Sequence, residues 1–138
     1  MGELPPIIFQ IQNLTDIRLG NNELTGEVSV HAYSYSVERI DIHSNNFTGS
    51  IDFLLNFPNI TEVHLDNNQF SGEIPPELGQ LVKLRVLTLG ANLLNGSMPD
   101  EICNLRREYE LEVLEADCGG TSPKVWCECC TSCSSSVD

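Results

Sequence analysis

Apolar residues recur along this chain at spacings that fit neither a helix nor a long strand. In the stretch 60–74 they fall at Ile60, Val63, Leu65, Phe70 and Ile74, with Asn68 and Gly72 among them. The same order returns as Leu14, Ile17, Leu19, Asn22, Leu24, Gly26 and Val28. It returns again as Val37, Ile40, Ile42, Asn45, Phe47, Gly49 and Ile51, and as Leu84, Leu87, Leu89, Asn92, Leu94, Gly96 and Met98. The asparagines at 22, 45, 68 and 92 are 23, 23 and 24 residues apart. A fixed period of this size predicts a solenoid of stacked coils. Each coil shares its core with its neighbours, because no coil buries its apolar face alone.

The pattern also predicts what each part of a coil does. Alternation at Val63 and Leu65 makes a short strand with those two residues inward. Stacking then places the strands side by side as one parallel, concave sheet. Asn68 follows where the chain turns inward, and its amide can satisfy backbone groups stranded by the bend. The four asparagines should form a ladder. Gly26, Gly49, Gly72 and Gly96 allow a positive φ there. Pro75 and Pro99 start the convex segment, where Leu78 with Leu81 and Ile102 with Leu105 have the spacing of one short helical turn.

Taken in order, residues 2–13 align with 72–83 and read as the second half of a repeat. Repeats then start near 14, 37, 60 and 84, and a degenerate one starts at 111. Repeat one lacks the Ile-Pro pair and carries Tyr33 and Tyr35 in its irregular second half. An insertion around 106–110 lengthens the last spacing to 27 residues. The repeats span 2–117, and a cysteine-rich cap spans 118–138. No polar cap precedes residue 2, although a solenoid's terminal coil otherwise exposes its core. We therefore expect a C-terminal portion of a longer protein, or a partner covering that end.

Composition narrows the partners. A net charge of −13 disfavours nucleic acid, which needs a basic face. It also disfavours anionic membrane surfaces. No apolar run is long enough for a transmembrane helix, and Met1 is followed by Gly-Glu-Leu-Pro-Pro rather than by the pattern of a signal peptide.

The six cysteines are Cys103, Cys118, Cys127, Cys129, Cys130 and Cys133, and they admit 15 pairings. In an oxidising compartment they staple the short tail over the last repeat. In a reducing one, the thiolates of 127–133 offer a zinc site, although the tail has no histidine. The sequons at Asn13, Asn46, Asn59 and Asn95 favour the oxidising compartment, with Asn46 and Asn95 the more accessible. Trp126 is expected to plug the open end of the core.

Function in such a coil is sought on residues that alternate with the core along each strand. These are Asp16, Arg18 and Gly20; Arg39, Asp41 and His43; Glu62, His64 and Asp66; Val86, Thr88 and Gly90; and Val113, Glu115 and Asp117. Equivalent positions lie ~4.8 Å apart across a sheet. Arg39 then sits between Asp16 and Glu62, and Asp41 between Arg18 and His64. The result is a checkerboard of opposite charge, beside a smaller, less polar patch at Val86, Thr88 and Gly90. Asp41, His43, His64 and Asp66 form a quartet with metal-binding chemistry, but an open sheet supplies no second layer of residues to hold such ligands. No nucleophile with a partner base stands out.

The unit resembles the plant-type leucine-rich repeat, LxxLxxLxLxxNxLxGxIPxxLxxL. Repeat three fits it best, through Ile60, Val63, Leu65, Asn68, Phe70, Gly72, Ile74, Pro75, Leu78 and Leu81. The ending from Leu111 to Cys118, followed by Val125-Trp-Cys-Glu-Cys-Cys-Thr-Ser-Cys, is similar to the C-terminal cap of diatom leucine-rich-repeat proteins. The resemblance implies an α/β leucine-rich-repeat solenoid with a short-stranded parallel concave sheet, a 3-10 or irregular convex side and a Cys-rich C-terminal cap. It also implies a secreted or cell-surface recognition protein, not an enzyme, that needs no cofactor. No Gly-rich loop, His-Arg-Asp or Asp-Phe-Gly of a kinase is present.

The expected function is capture of a protein, peptide or glycan through Asp16, Arg18, Arg39, Asp41, His43, Glu62, His64, Asp66, Val86 and Thr88. The alternatives are a capping or spacer segment of a larger receptor with no ligand contacts of its own, and a metal-dependent module.

Overall fold

A computed structural model describes residues 2–29 and 31–134. Met1, Val30 and residues 135–138, the last four of the predicted cap, lie outside the described residues. The chain winds as a stack of coils, which contribute their strands to two parallel sheets. The concave sheet runs Asp16–Arg18, Arg39–Asp41, Glu62–His64, Val86–Thr88, Val113–Ala116 and Ser132–Cys133. In it Val63 lies between Ile40 and Leu87, which carries the apolar stripe from coil to coil.

The second sheet is a feature the repeat pattern did not predict. Its strands are Gly2–Glu3, Leu24–Glu27, Asn46–Gly49, Gln69–Glu73, Leu93–Ser97 and Val125–Trp126. They are the segments that leave the asparagine turn. Within them Gly26, Gly49, Gly72 and Gly96 take φ of 85, 90, 88 and 89°, a bend that side-chain-bearing residues resist. The bend directs the chain across to the convex side while the backbone on either side still pairs.

On the convex side Pro6–Gln10, Asp52–Asn56 and Pro76–Gln80 form 3-10 turns. The fourth repeat departs from the expected short turn: Asp100–Glu108 is an α-helix of 9 residues. The insertion at 106–110 supplies the extra length. Asp100 and Glu101 in its first turn and Arg106 and Arg107 in its last complement the helix dipole. Repeat one forms no helix in its described second half. Phe9 consequently reaches past it to Phe57, with ring centroids 5.2 Å apart. The core continues through Phe47, Phe53 and Phe70, all fully buried, with Phe47 and Phe70 stacked at 6.2 Å.

The asparagine ladder has three buried rungs, Asn45, Asn68 and Asn92. Asn68 shows the rule. Its Nδ2 donates to the carbonyls of Leu65 and Ile42 at 3.1 and 3.0 Å, and its Oδ1 accepts from the Phe47 N–H at 3.0 Å. Each rung therefore ties its own bend to the coil before it. The expected fourth rung, Asn22, is exposed, and its side chain bonds among the described residues only within its own coil, to the Leu19 and Gly20 carbonyls. The half repeat before it supplies the second-sheet strand Gly2–Glu3 but no concave strand whose carbonyl the Asn22 amide could reach.

The other end of the stack is closed by three devices. Residues 118–134 continue both sheets by a strand each, Val125–Trp126 beside Leu93–Ser97 and Ser132–Cys133 beside Val113–Ala116. Disulfides join Cys103 to Cys129, Cys118 to Cys133 and Cys127 to Cys130, so no described cysteine is free to hold zinc. The first pins the α-helix to the tail. The apolar plug is Val125, 1% exposed, whereas Trp126 is 67% exposed. This corrects the expected role of Trp126: strand alternation turns one of two neighbours inward, and here the smaller one fits under the disulfide-tied tail.

The third device is Asp117. By repeat position it belongs on the concave face, yet it is buried at 3% exposure. Upstream, Asn67 and Asn68 donate their N–H groups to the carbonyls of Gly90 and Ala91 in the next coil. Ala91 and Asn92 have no such carbonyls ahead of them. Their N–H groups go instead to Oδ1 and Oδ2 of Asp117, at 2.8 and 3.2 Å. One carboxylate thus replaces two backbone acceptors, and burial costs little because both oxygens are satisfied.

Candidate functional site

The concave sheet brings the predicted residues into the expected register. Asp16 lies opposite Arg39, and Arg39 opposite Glu62. Arg18 lies opposite Asp41, Asp41 opposite His64, and His64 opposite Thr88. Glu62 and Glu115 flank Val86 and Thr88 respectively, from opposite neighbouring strands. The inward residues Ile17, Ile40, Val63 and Leu87 are buried, so the residues between them are held facing the open side.

Side-chain contacts settle how the checkerboard divides. Arg18 pairs with Asp16 of its own strand at 2.9 Å. Arg39 donates through Nη1 to Glu62 and lies 3.7 Å from Asp41 through Nη2. Its Nε is buried with no acceptor among the described residues. His64 Nε2 is 3.5 Å from Glu62, while Thr88 Oγ1 donates to Asp66 at 2.7 Å and lies 3.3 Å from His64 Nδ1. His43 Nδ1 bonds to Asp41 rather than to Asp66.

The quartet therefore does not converge. Asp41 and His43 make one pair, and Asp66 and His64 share Thr88. Among the described residues no group of three or more His, Cys, Asp or Glu is placed to hold a metal ion. Gly20 explains the first pair, because a Cβ there would collide with the His43 ring. The ring occupies the space a side chain at 20 would fill, and from there Nδ1 bonds to Asp41. The sequence signal for this was Gly20 itself, at the position where the third repeat has Asp66.

The pairing shows in the titration of both groups. Burial pushes the Asp41 carboxyl up. The hydrogen bonds from the His43 ring and backbone N–H, with the His43 and His64 charges, outweigh burial and hold it below its ordinary value. The His43 imidazole is raised, chiefly by its hydrogen bond to Asp41. Burial opposes the rise, and the Asp41 and Asp66 charges add to it. A raised imidazole binds its proton more tightly when folded, so this contact is fully formed below the unfolded value and is lost as pH rises through the folded one. The depressed carboxylate limits the other side: its contribution is lost as pH falls through the folded Asp41 value. In a proton NMR titration, the His43 midpoint should lie above that of an unfolded peptide. It should fall in Asp41→Asn, whereas an unmoved midpoint would mean that the pair does not form.

The less polar patch is smaller than expected. Val86 and Thr88 are half-buried and open, but Gly90 is buried. A Cβ on Gly90 would strike Ser134 and Glu115, so the tail lies over it. Asp117 is withdrawn into the coil end, as described above. The open face thus runs from Asp16 to Thr88 and stops at the tail.

The sequons fall on other surfaces. Asn13, Asn46 and Asn95 are exposed, the last two on second-sheet strands. Asn59 is half-buried, donating to the Tyr35 carbonyl at 2.8 Å and accepting from Lys83 at 2.9 Å.

Two segments, 59–81 and 83–105, match the family model described as Leucine Rich Repeat. The chain is 30% identical over 130 residues to Receptor-like protein 39 of Arabidopsis thaliana, across 91% of the chain and 15% of that protein. It therefore spans about 15% of the length of this curated relative.

Among solved structures, it is similar to the ectodomain of the Arabidopsis thaliana receptor kinase GASSHO1/SCHENGEN3, solved with Casparian strip integrity factor 2. The TM-score is 0.72 at 37% identity, covering 75% of the chain and 13% of the receptor. It is also similar to the ectodomain of the Arabidopsis receptor kinase HAESA, solved with an N-terminally extended IDA peptide hormone. There the TM-score is 0.74 at 29% identity, covering 84% of the chain and 19% of the receptor. Fold and repeats together make this chain a leucine-rich-repeat solenoid. Its repeats are of the plant type, and its relatives are plant receptor-like proteins and receptor-kinase ectodomains. None of these three matches bears on the likeness of the tail to diatom caps.

Proposed function

We propose that the chain is a non-enzymatic, extracellular recognition segment that binds an extended peptide across the concave strands. The observation that carries this is a pair of neighbouring rows across successive coils, Arg39–Glu62–Val86 and Asp41–His64–Thr88, each held in register. A strand-like peptide laid across parallel strands meets one such residue about every 4.8 Å. Arg39 is the anchor. Its side chain keeps 26% of its surface open on the face, where a ligand carboxylate can share the guanidinium with Glu62. His64 and Thr88 add paired donors and acceptors beside it. The peptide ligands of the HAESA and GASSHO1/SCHENGEN3 ectodomains support a peptide over a glycan. The three disulfides support an oxidising compartment. No helix among the described residues is long and apolar enough to cross a membrane.

The test uses immobilised chain with its disulfides intact and a pool of synthetic extended peptides. Arg39→Ala, His64→Ala and Thr88→Ala should each weaken capture about tenfold, the effect expected of a residue central to an interface. Thermal unfolding should change little. Capture that survives all three substitutions would place the ligand on another face.

A capping or spacer role is the second reading. It draws on the internal pairing of the face, Arg18 with Asp16 and Arg39 with Glu62, and on the closed coil end. Failure of the pool to bind any peptide, with the chain folded and monodisperse, would favour it.

A further inference from the structure

The convex side of repeat one holds a second site. Its short stretch, helix-free among the described residues, leaves a groove beside the 3-10 turn Pro6–Gln10. Tyr33 and Tyr35 line it, at 60% and 73% exposure, together with Ile11 at 54%. Such aromatic exposure on a folded surface points to an occupant. Asn13 lines the same groove. It begins the sequon Asn13-Leu14-Thr15, it sits on a turn with φ of 64°, and it is exposed. Its amide bonds to none of the described residues, whereas the Asn59 amide, in the neighbouring hollow, is engaged by Tyr35 and Lys83.

We propose that Asn13 carries an N-linked glycan, and that its first sugars lie in this groove against Tyr33 and Tyr35. In the modification, the Asn13 Nδ2 bonds to the anomeric carbon of a lipid-pyrophosphate-linked oligosaccharide. The bond from that carbon to the pyrophosphate oxygen breaks, the pyrophosphate lipid leaves, and the amide proton goes to a base. No oxidant or reductant is required. The sugar's apolar C–H face covers the tyrosine rings, and their hydroxyls remain at the wet rim. A glycan here fills the gap that the missing convex helix leaves, and it keeps ligands off that side. The inference rests on the oxidising compartment, not on the concave-face ligand, so the two readings fail separately.

The experiment expresses the chain through the secretory pathway of insect cells. Glycopeptide mass mapping should find Asn13 occupied. In proton NMR, the N-acetyl methyl of the first sugar should show contacts to Tyr33 or Tyr35 ring protons. In the double variant Tyr33→Ser/Tyr35→Ser, Asn13 should stay occupied. Native endoglycosidase should then release the glycan about fivefold faster, the effect of losing an aromatic contact. An unmodified Asn13 overturns the site. An occupied Asn13 with no ring contacts, released at the same rate from both chains, overturns the cradle.

Discussion

Asn68→Leu should lower the stability of the chain by about 3–5 kcal/mol, because it strands several backbone groups in the core at once. The Phe47 N–H and the Ile42 and Leu65 carbonyls all bond to this one amide, which is 7% exposed. Leucine has the same number and branching of side-chain heavy atoms, so the shape is kept and the loss chiefly reports the missing hydrogen bonds. Asn22→Leu is the control. The same residue at the same repeat position is exposed there and should cost below about 1 kcal/mol, because water replaces its bonds. Equilibrium urea unfolding under non-reducing conditions measures both. Equal losses would show that the ladder does not tie coil to coil. The position in the middle of the stack matters as well, since in a solenoid a broken interface uncouples the coils on both sides.

The second large effect lies at the C-terminal end. Cys103→Ser/Cys129→Ser opens a loop closed over 26 residues, and loop-closure entropy assigns a bridge of that span roughly 3.5 kcal/mol. Cys127→Ser/Cys130→Ser opens one of separation 3 and should cost about 2 kcal/mol. The stronger distinction is structural. The first bridge ties the helix Asp100–Glu108 to the tail that seats Val125 over the core. Without it, a hydrophobic dye should bind at the uncovered coil end well below the unfolding temperature. The 127–130 variant should bind none until it melts. Dye binding that is the same in both would mean that the tail is held by its strands alone.

Much of the fold was legible because a repeat states its rule several times. The inward positions, the glycine bends, the concave register and the rungs Asn45, Asn68 and Asn92 all follow from the spacing. The second sheet was not legible, since Phe70 is the one buried residue of Gln69–Glu73 and Gly72 carries no side chain to show a face, and pairing there depends on neighbours at matching height. The helix Asp100–Glu108 was visible only as extra length. At the ends the rule stops applying. Asn22 has no earlier concave strand to reach, Trp126 and Val125 exchange the expected roles, and Asp117 leaves the face for the core. For the candidate site, spacing placed the concave residues but not their partners. Whether His43 turns to Asp41 or to Asp66 is decided by the bare backbone at Gly20 beneath the ring.

Asp117 makes the stack behave like a polymer with an end group. Each coil presents the one before it with carbonyls that the earlier coil's N–H groups can take, so a coil added in the middle finds both of its neighbours already in the right form. After Asn92 that valence is filled by a side chain from the coil's own continuation. A further full repeat added there would have to displace a satisfied carboxylate and leave its charge in a dry interior. Growth of such a chain by duplication is therefore directional: repeats can accumulate on the side away from Asp117, and the cysteine-tied end is inherited unchanged.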